Sequence, residues 1–166
     1  EPPAHGISPA QLAGHHAREK LAGVMALRRE SAIDAPVLAA DTVVDLDGSA
    51  LGKPRDAGEA VAMLRRLSGR EHLVHTAFAL AVPGVSDWIE ERATTRVRFY
   101  RLEPAEIAEY VATGEPLDKA GAYGIQGRAA ALVEAIDGDF YTVMGLPLAR
   151  FVRALRRLGF VLPETN

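Results

Sequence analysis

The sequence predicts an α/β fold with a mixed sheet. Three observations predict it. Helix-period and strand-period segments alternate loosely along the chain. Two long strand-like segments follow one another directly. And the stretch Val37–Val44 reads as a strand mostly buried on both faces. The 166 residues fit one domain, and a 48% hydrophobic share supplies a core. That domain is expected to span 1–166.

The elements follow in order. Ser8-Pro9-Ala10-Gln11 reads as a helix start, with a Ser cap, Pro at the first helical position and Gln three residues after the cap. This helix is expected to reach about Arg29, with Leu12, Leu21, Val24, Met25 and Leu27 near helical spacing. After the strand Val37–Val44, Asp47-Gly48 is a hairpin turn. A second helix runs from an Asp56 cap to Leu67, with Gly69 past its end. His72–Val82 and Trp88–Leu102 are two long strands joined through Pro83-Gly84, and the second alternates over Thr95-Arg96-Val97-Arg98-Phe99. Pro104–Thr113 is a third helix, stopped by Gly114. "EPLDKAGAYGIQGRA" is a Gly-rich loop, "AALVEAI" a strand, and Pro147–Leu158 the last helix, with Leu148, Phe151, Val152, Leu155 and Leu158 as its apolar stripe.

Composition narrows the function. A net charge of −3 argues against binding nucleic acid by neutralising phosphates along a groove. The chain has no Cys, which excludes disulfides and thiolate metal sites and permits a cytoplasmic location. No apolar run approaches a membrane span, and none of signal-peptide type opens the sequence. Glu1-Pro2-Pro3 contains no Met and reads as the interior of a protein.

Several motifs invite a site. Gly52-Lys53 fails as a phosphate-binding P-loop, because Pro54 stands where Ser or Thr is needed and Asp47 where Gly is needed. Gly121, Gly124 and Gly127 lack the tight Gly-x-Gly of a dinucleotide loop. The five histidines give no metal set: His72 and His75 point to opposite faces of a strand, and His15 and His16 diverge on a helix. Asp41 is different, because a carboxylate inside an apolar strand is costly unless it is paired, binds a metal or ends at a cleft. Taken alone it reads equally as an Asp bonding nearby backbone amides. Lys53, fixed between Gly52 and Pro54, reads as aimed or as a solvated turn lysine. Lys20 lies towards the apolar side of the first helix, where a snorkelling lysine is the plain alternative. Asp118-Lys119 reads as an exposed pair, unless the glycines around Tyr123 and Gln126 bring the backbone close to a ligand. Lysines that neutralise phosphate, a carboxylate that holds a metal or takes a proton, and a Gln that reads a base edge together make a kit for a nucleoside polyphosphate.

Three segments then carry a resemblance. "AADTVVDLDGSALGKPRDAGEAVAMLRRLSG", "YVATGEPLDKAGAYGIQG" and "IDGDFYTVMGLPL" resemble, in order, the successive motifs of the Maf family of nucleotide pyrophosphatases, once called septum-formation inhibitors. The resemblance covers Ser8 to Leu158. It implies a three-layer α/β/α fold with a mixed, elongated sheet and two lobes around a central cleft, related to inosine triphosphate pyrophosphatases, and hydrolysis of nucleoside triphosphates to the monophosphate and pyrophosphate, with Mg²⁺ or Mn²⁺. It implies further that Asp41 is the catalytic aspartate and proton acceptor, that Lys53 and Lys20 are catalytic lysines, and that Lys119 also contacts the substrate. Asp41 and Glu1 would hold the metal. Thr42 and Gln126 match positions tied to pyrimidine specificity, and members similar at these positions favour dTTP and UTP.

One departure stands out. The family opens with a strand and a phosphate-binding loop of the type Ser-x-Ser-Pro-Arg-Arg, which this sequence lacks, so the chain is expected to start after that segment. The expected partner is a nucleoside triphosphate, with no nucleic acid or membrane and room for a homodimer. Two other functions stay open: a non-catalytic nucleotide-sensing or septum-formation regulator, and a metal-dependent phosphohydrolase acting on another phosphoester.

Overall fold

The computed structural model describes residues 6–28 and 35–161. Helix α1 (Pro9–Arg28) starts where Ser8 accepts a hydrogen bond from the Gln11 backbone and Gln11 accepts one from the Ser8 backbone. Arg29, the expected end of this helix, lies outside the described residues. Strands β1 (Val37–Leu46) and β2 (Ser49–Leu51) form a hairpin, because Asp47 and Gly48 both take positive φ, 56° and 81°, as a two-residue turn matching strand twist requires. Helix α2 (Ala57–Leu67) is capped by Asp56, whose carboxylate accepts the Glu59 backbone N–H at 2.8 Å. Next come β3 (Glu71–Ala81), β4 (Ile89–Phe99) and α3 (Pro104–Ala112), then short 3₁₀ segments over Glu115–Asp118, Ala120–Ala122 and Gly127–Leu132, and finally β5 (Val133–Asp137), α4 (Phe140–Met144) and α5 (Leu148–Arg157). The sequence reading missed α4. It is a single turn, capped by Asp139 accepting the backbone N–H groups of Tyr141 and Thr142, and too short to show helical periodicity.

The α/β expectation holds, and the expected mixed pairing does not. The five strands lie in the order β2-β1-β3-β4-β5, and all four described pairings are antiparallel. A mixed sheet is expected because helices and strands alternate loosely along the chain, a pattern that parallel crossovers also give. Strands β2 and β3, which α2 joins, do run the same way, since both are antiparallel to β1, but β1 lies between them.

Side-chain alternation fixes what each face meets. On one face Val43, Ala77, Ala79 and Ala81 pack against Ala13, Ala17 and Leu21 of α1. The buried stripe of α1 is therefore one residue per turn, mostly alanine, and Val24 and Leu27 of the expected stripe are exposed, Leu27 by 83%. Small residues on both sides let the helix lie close to the sheet, so bulk is not what marks its inner face. On the other face Val44, Val74, Val97 and Phe99 pack with Leu64 and Leu67 of α2 and with Ile107 and Tyr110 of α3, while Phe78 and Leu80 meet Ala154 and Phe151 of α5. Each fully buried Leu or Phe here is worth roughly 2 kcal/mol against exposure. In α5 only Ala154 is fully buried, and Leu148 of the expected stripe is exposed. No helix among the described residues is long and apolar enough to cross a membrane.

Candidate active site

Strand β2 is so short that it covers only Val44–Leu46 of β1, and the rest of β1 has no strand on that side among the described residues. A cleft of about 400 Å³ opens at this bare edge, within the usual range for small-ligand sites. An open edge lets both faces of β1 contribute, so Asp41, on the α1 face, and Thr42, on the opposite face, line the same cleft. Lys20 enters from α1, Lys53 from just after β2, and Lys119 and Gln126 from the Gly-rich loop. Every sequence-singled site residue among the described ones is brought together here. Glu1 lies outside the described residues.

Asp41 is held at both oxygens. Lys20 Nζ donates to Oδ1 at 2.6 Å, and His16 Nδ1 lies 3.1 Å from Oδ2. Lys20 also donates to the Ala40 carbonyl at 3.3 Å. His16 and Lys20 are one helical turn apart, so α1 presents both from one face to one carboxylate. The side chain of Asp41 is only 16% exposed, and these partners offset the cost of burying its charge. A carboxylate offers about four lone-pair sites, so two remain for a ligand, a water or a metal. His16 is the functional candidate that the sequence reading passed over. No local signal marks it, because its role depends on α1 docking against β1.

The opposite wall is built from loop. Lys119 donates to Asp118 at 2.7 Å. That hydrogen bond, then the Lys119 charge and lastly Lys53, hold the Asp118 carboxyl below the usual carboxylate range. Gly121 has φ of 67°, and its ideal Cβ would stand 3.0 Å from the Val44 side chain, so only glycine lets the loop press on the strand there. A Cβ on Gly124 would meet the Lys119 stem at 2.8 Å, which shows that Lys119 lies across that glycine. Gln126 is exposed at the cleft mouth with no hydrogen-bond partner among the described residues.

Tyr123 anchors this loop. It lines the cleft while its hydroxyl sits 2.7 Å from His72 Nε2, and its ring packs edge-on against His72 and Phe99. Burial pushes the His72 imidazole from 6.5 down to about 4 and the Tyr110 hydroxyl up to about 12. Burial also raises the Tyr123 hydroxyl, with Tyr110 adding to it. These groups are therefore neutral at the base of the loop. His75, on the opposite face as expected, lies between Asp45 and Thr94 at 3.2 and 2.8 Å, away from the cleft. The hydrogen-bonded reading of both strand histidines stands.

No group of three His, Cys, Asp or Glu among the described residues could cage a metal ion. The cleft offers Asp41 and Asp118 instead. One or two carboxylates suit a Mg²⁺-type ion that keeps its waters and takes its other ligands from substrate phosphates.

Comparison with known proteins agrees with the motifs. The Maf family, described as "Maf-like protein", matches residues 1–158. A protein of Thermus thermophilus named dTTP/UTP pyrophosphatase is 55% identical over 84% of this chain and 74% of its own length. Proteins of the same name from Symbiobacterium thermophilum and Thermococcus gammatolerans are 51% and 48% identical, over 94% and 85% of this chain and 77% and 75% of their own lengths.

Proposed function

The chain belongs to the Maf-like protein family, and on that premise we propose that it is a nucleoside triphosphate pyrophosphatase that hydrolyses dTTP and UTP to the monophosphate and pyrophosphate. The observation that supports this most is the convergence of Asp41, held at both oxygens, with Lys20, Lys53, Lys119, Thr42 and Gln126 in one cleft. The names of its relatives support the substrates.

In this reading water attacks the α-phosphorus, the bond to the bridging oxygen of the β-phosphate breaks, and pyrophosphate leaves. Asp41 orients the water and takes its proton. Lys20, Lys53 and Lys119 offset the charge that builds on the phosphate oxygens. A Mg²⁺ or Mn²⁺, when bound by Asp41 with Glu1, would supply further charge neutralisation at the phosphates. Gln126 and Thr42 read the base. The cytoplasmic nucleotide pool is the proposed setting.

The test is product analysis with dTTP, UTP, CTP, ATP and GTP as substrates. Pyrophosphate and monophosphate from dTTP and UTP are expected. Release of orthophosphate would point to a phosphohydrolase of another kind. Nucleotide binding without turnover would point to the regulatory function.

A further inference from the structure

The hydroxyl of Thr42 is not free to choose its role. Thr76, fully buried on β3 directly opposite, has its Oγ1 2.6 Å from the carbonyl oxygen of Thr142. A carbonyl only accepts, so the single hydroxyl hydrogen of Thr76 is committed there. The Thr42 and Thr76 oxygens are 2.8 Å apart. The hydrogen between them must then come from Thr42. What Thr42 presents to the cleft is lone pairs alone.

The anchor of this relay is itself fixed. Thr142 lies in α4, where Asp139 accepts both its backbone N–H and its hydroxyl, at 3.0 and 2.8 Å. Asp139 is held in turn by Thr95 of β4, which donates to its carbonyl at 2.8 Å and accepts its N–H at 2.9 Å. Thr95, Thr142 and Thr76 are each 0% exposed, so water does not compete for these hydrogens.

We propose that Thr76 is a specificity-determining positioning residue: by locking Thr42 as a hydrogen-bond acceptor, it selects bases whose ring nitrogen carries a hydrogen, uracil and thymine, over cytosine. This rests on the reading that Thr42 and Gln126 face the base. Gln126 carries a donor pair and an acceptor on one amide and turns end for end to suit either edge. An unconstrained threonine hydroxyl is equally ambivalent. Of the two base readers, only the relay-locked Thr42 has a fixed polarity. Opposite it, the ring N–H of uracil or thymine is satisfied. The bare ring nitrogen of cytosine sets lone pair against lone pair, and a site built for one hydrogen-bond pattern rejects the mismatched edge.

The experiment compares kcat/KM for UTP and CTP in the wild type, Thr76→Val and Thr76→Ser. Valine keeps the shape and removes the hydroxyl, and the Thr142 carbonyl still accepts from the Gly145 N–H. The wild type is expected to favour UTP. Thr76→Val should reduce the UTP-to-CTP ratio about tenfold, mainly through better use of CTP, and Thr76→Ser should keep the wild-type ratio. An unchanged ratio in Thr76→Val, or an equal fall in Thr76→Ser, overturns the proposal. Equilibrium binding of UMP and CMP to the same three proteins gives the preference without turnover, so failure of the pyrophosphatase reading and failure of the relay remain distinguishable.

Discussion

The two walls of the cleft are built on different principles. The α1–β1 wall is made of regular elements, and its central carboxylate is pinned by two side chains from successive turns of one helix. The loop wall, Glu115–Leu132, is held by short 3₁₀ segments, by Gly121 pressed on Val44, and by buried side chains, among them Tyr123 on His72. The contrast separates two tasks. Proton transfer needs a group fixed within fractions of an ångström, which a strand and helix provide. Admitting and gripping a triphosphate suits longer side chains on a surface loop, such as the exposed Lys53 and Gln126.

The strongest way to break the comparison is at Asp41. Asp41→Asn keeps the shape and removes the charge and, on the proposed reading, the proton acceptor. Turnover of dTTP or UTP should fall about a hundredfold or more, roughly 3 kcal/mol in the barrier, with the fold intact by circular dichroism. A mutant that unfolds while keeping its activity per folded molecule would make Asp41 a structural residue only.

The anchor of the loop wall comes next in size. The unfolded chain protonates His72 near its ordinary 6.5, while the folded protein resists until about 4. Between these values the unfolded state holds the extra proton, so stability is full above the upper value and falls as pH drops through the window. At about pH 5 the loss is about 2 kcal/mol. His72→Gln retains an amide for Tyr123 and has nothing to titrate, so its unfolding free energy should fall less between about pH 7 and about pH 5. Denaturant titrations of both proteins at the two pH values measure it, and equal slopes would remove His72 from the account.

The pinned carboxylate also has a weaker link. His16→Ala removes one of its two donors from a half-exposed helix position, at no cost in helix propensity. We expect kcat to fall about tenfold with KM unchanged, as for outer partners that orient a reacting group. His16→Asn, with an amide N–H near the place of Nδ1, should recover most of it. Equal activity in His16→Ala and wild type would leave Lys20 as the sole orienting partner.

These residues differ in how far the sequence announced them. Asp41 was legible because a carboxylate breaks an apolar run, a local irregularity. Lys53 and Gln126 were legible through flanking residues and the ordered motifs. His16 was not, because its meaning comes from a contact with a residue 25 positions away. The relay was invisible for the same reason: Thr42, Thr76 and Thr142 are ordinary residues until β1, β3 and α4 meet. The fold shows the same limit. Strand and helix positions followed from periodicity, while antiparallel pairing throughout and an alanine face on α1 depend on which strand inserts between β2 and β3 and on how closely a helix approaches a sheet.

The smallest expected effect sits at the cleft mouth and sharpens the contrast most. Gln126 is exposed and has no partner among the described residues, so the free protein spends nothing to hold it, and removing it leaves no buried group unpaired. Stability and the chemical step should therefore be nearly untouched in Gln126→Ala. What changes is the grip on the base. On the proposed reading the amide N–H donates to a ring carbonyl while Thr42 takes the ring N–H, and it does so well only if the ring stops at the right depth beside Gly124 and Ile125, which line the cleft with it. A purine, larger by a fused ring, stops short. Losing the amide thus costs UTP a directional contact that GTP never makes fully. We expect Gln126→Ala to reduce the UTP-to-GTP ratio of kcat/KM severalfold, mostly through KM for UTP, with kcat within about twofold of wild type. A fall in kcat as deep as that of Asp41→Asn would mean that Gln126 orients the reacting phosphate, and the division of labour between the two walls would fail. A wild type that uses GTP as well as UTP would remove the base preference altogether and leave the pyrophosphatase reading to stand on the other wall.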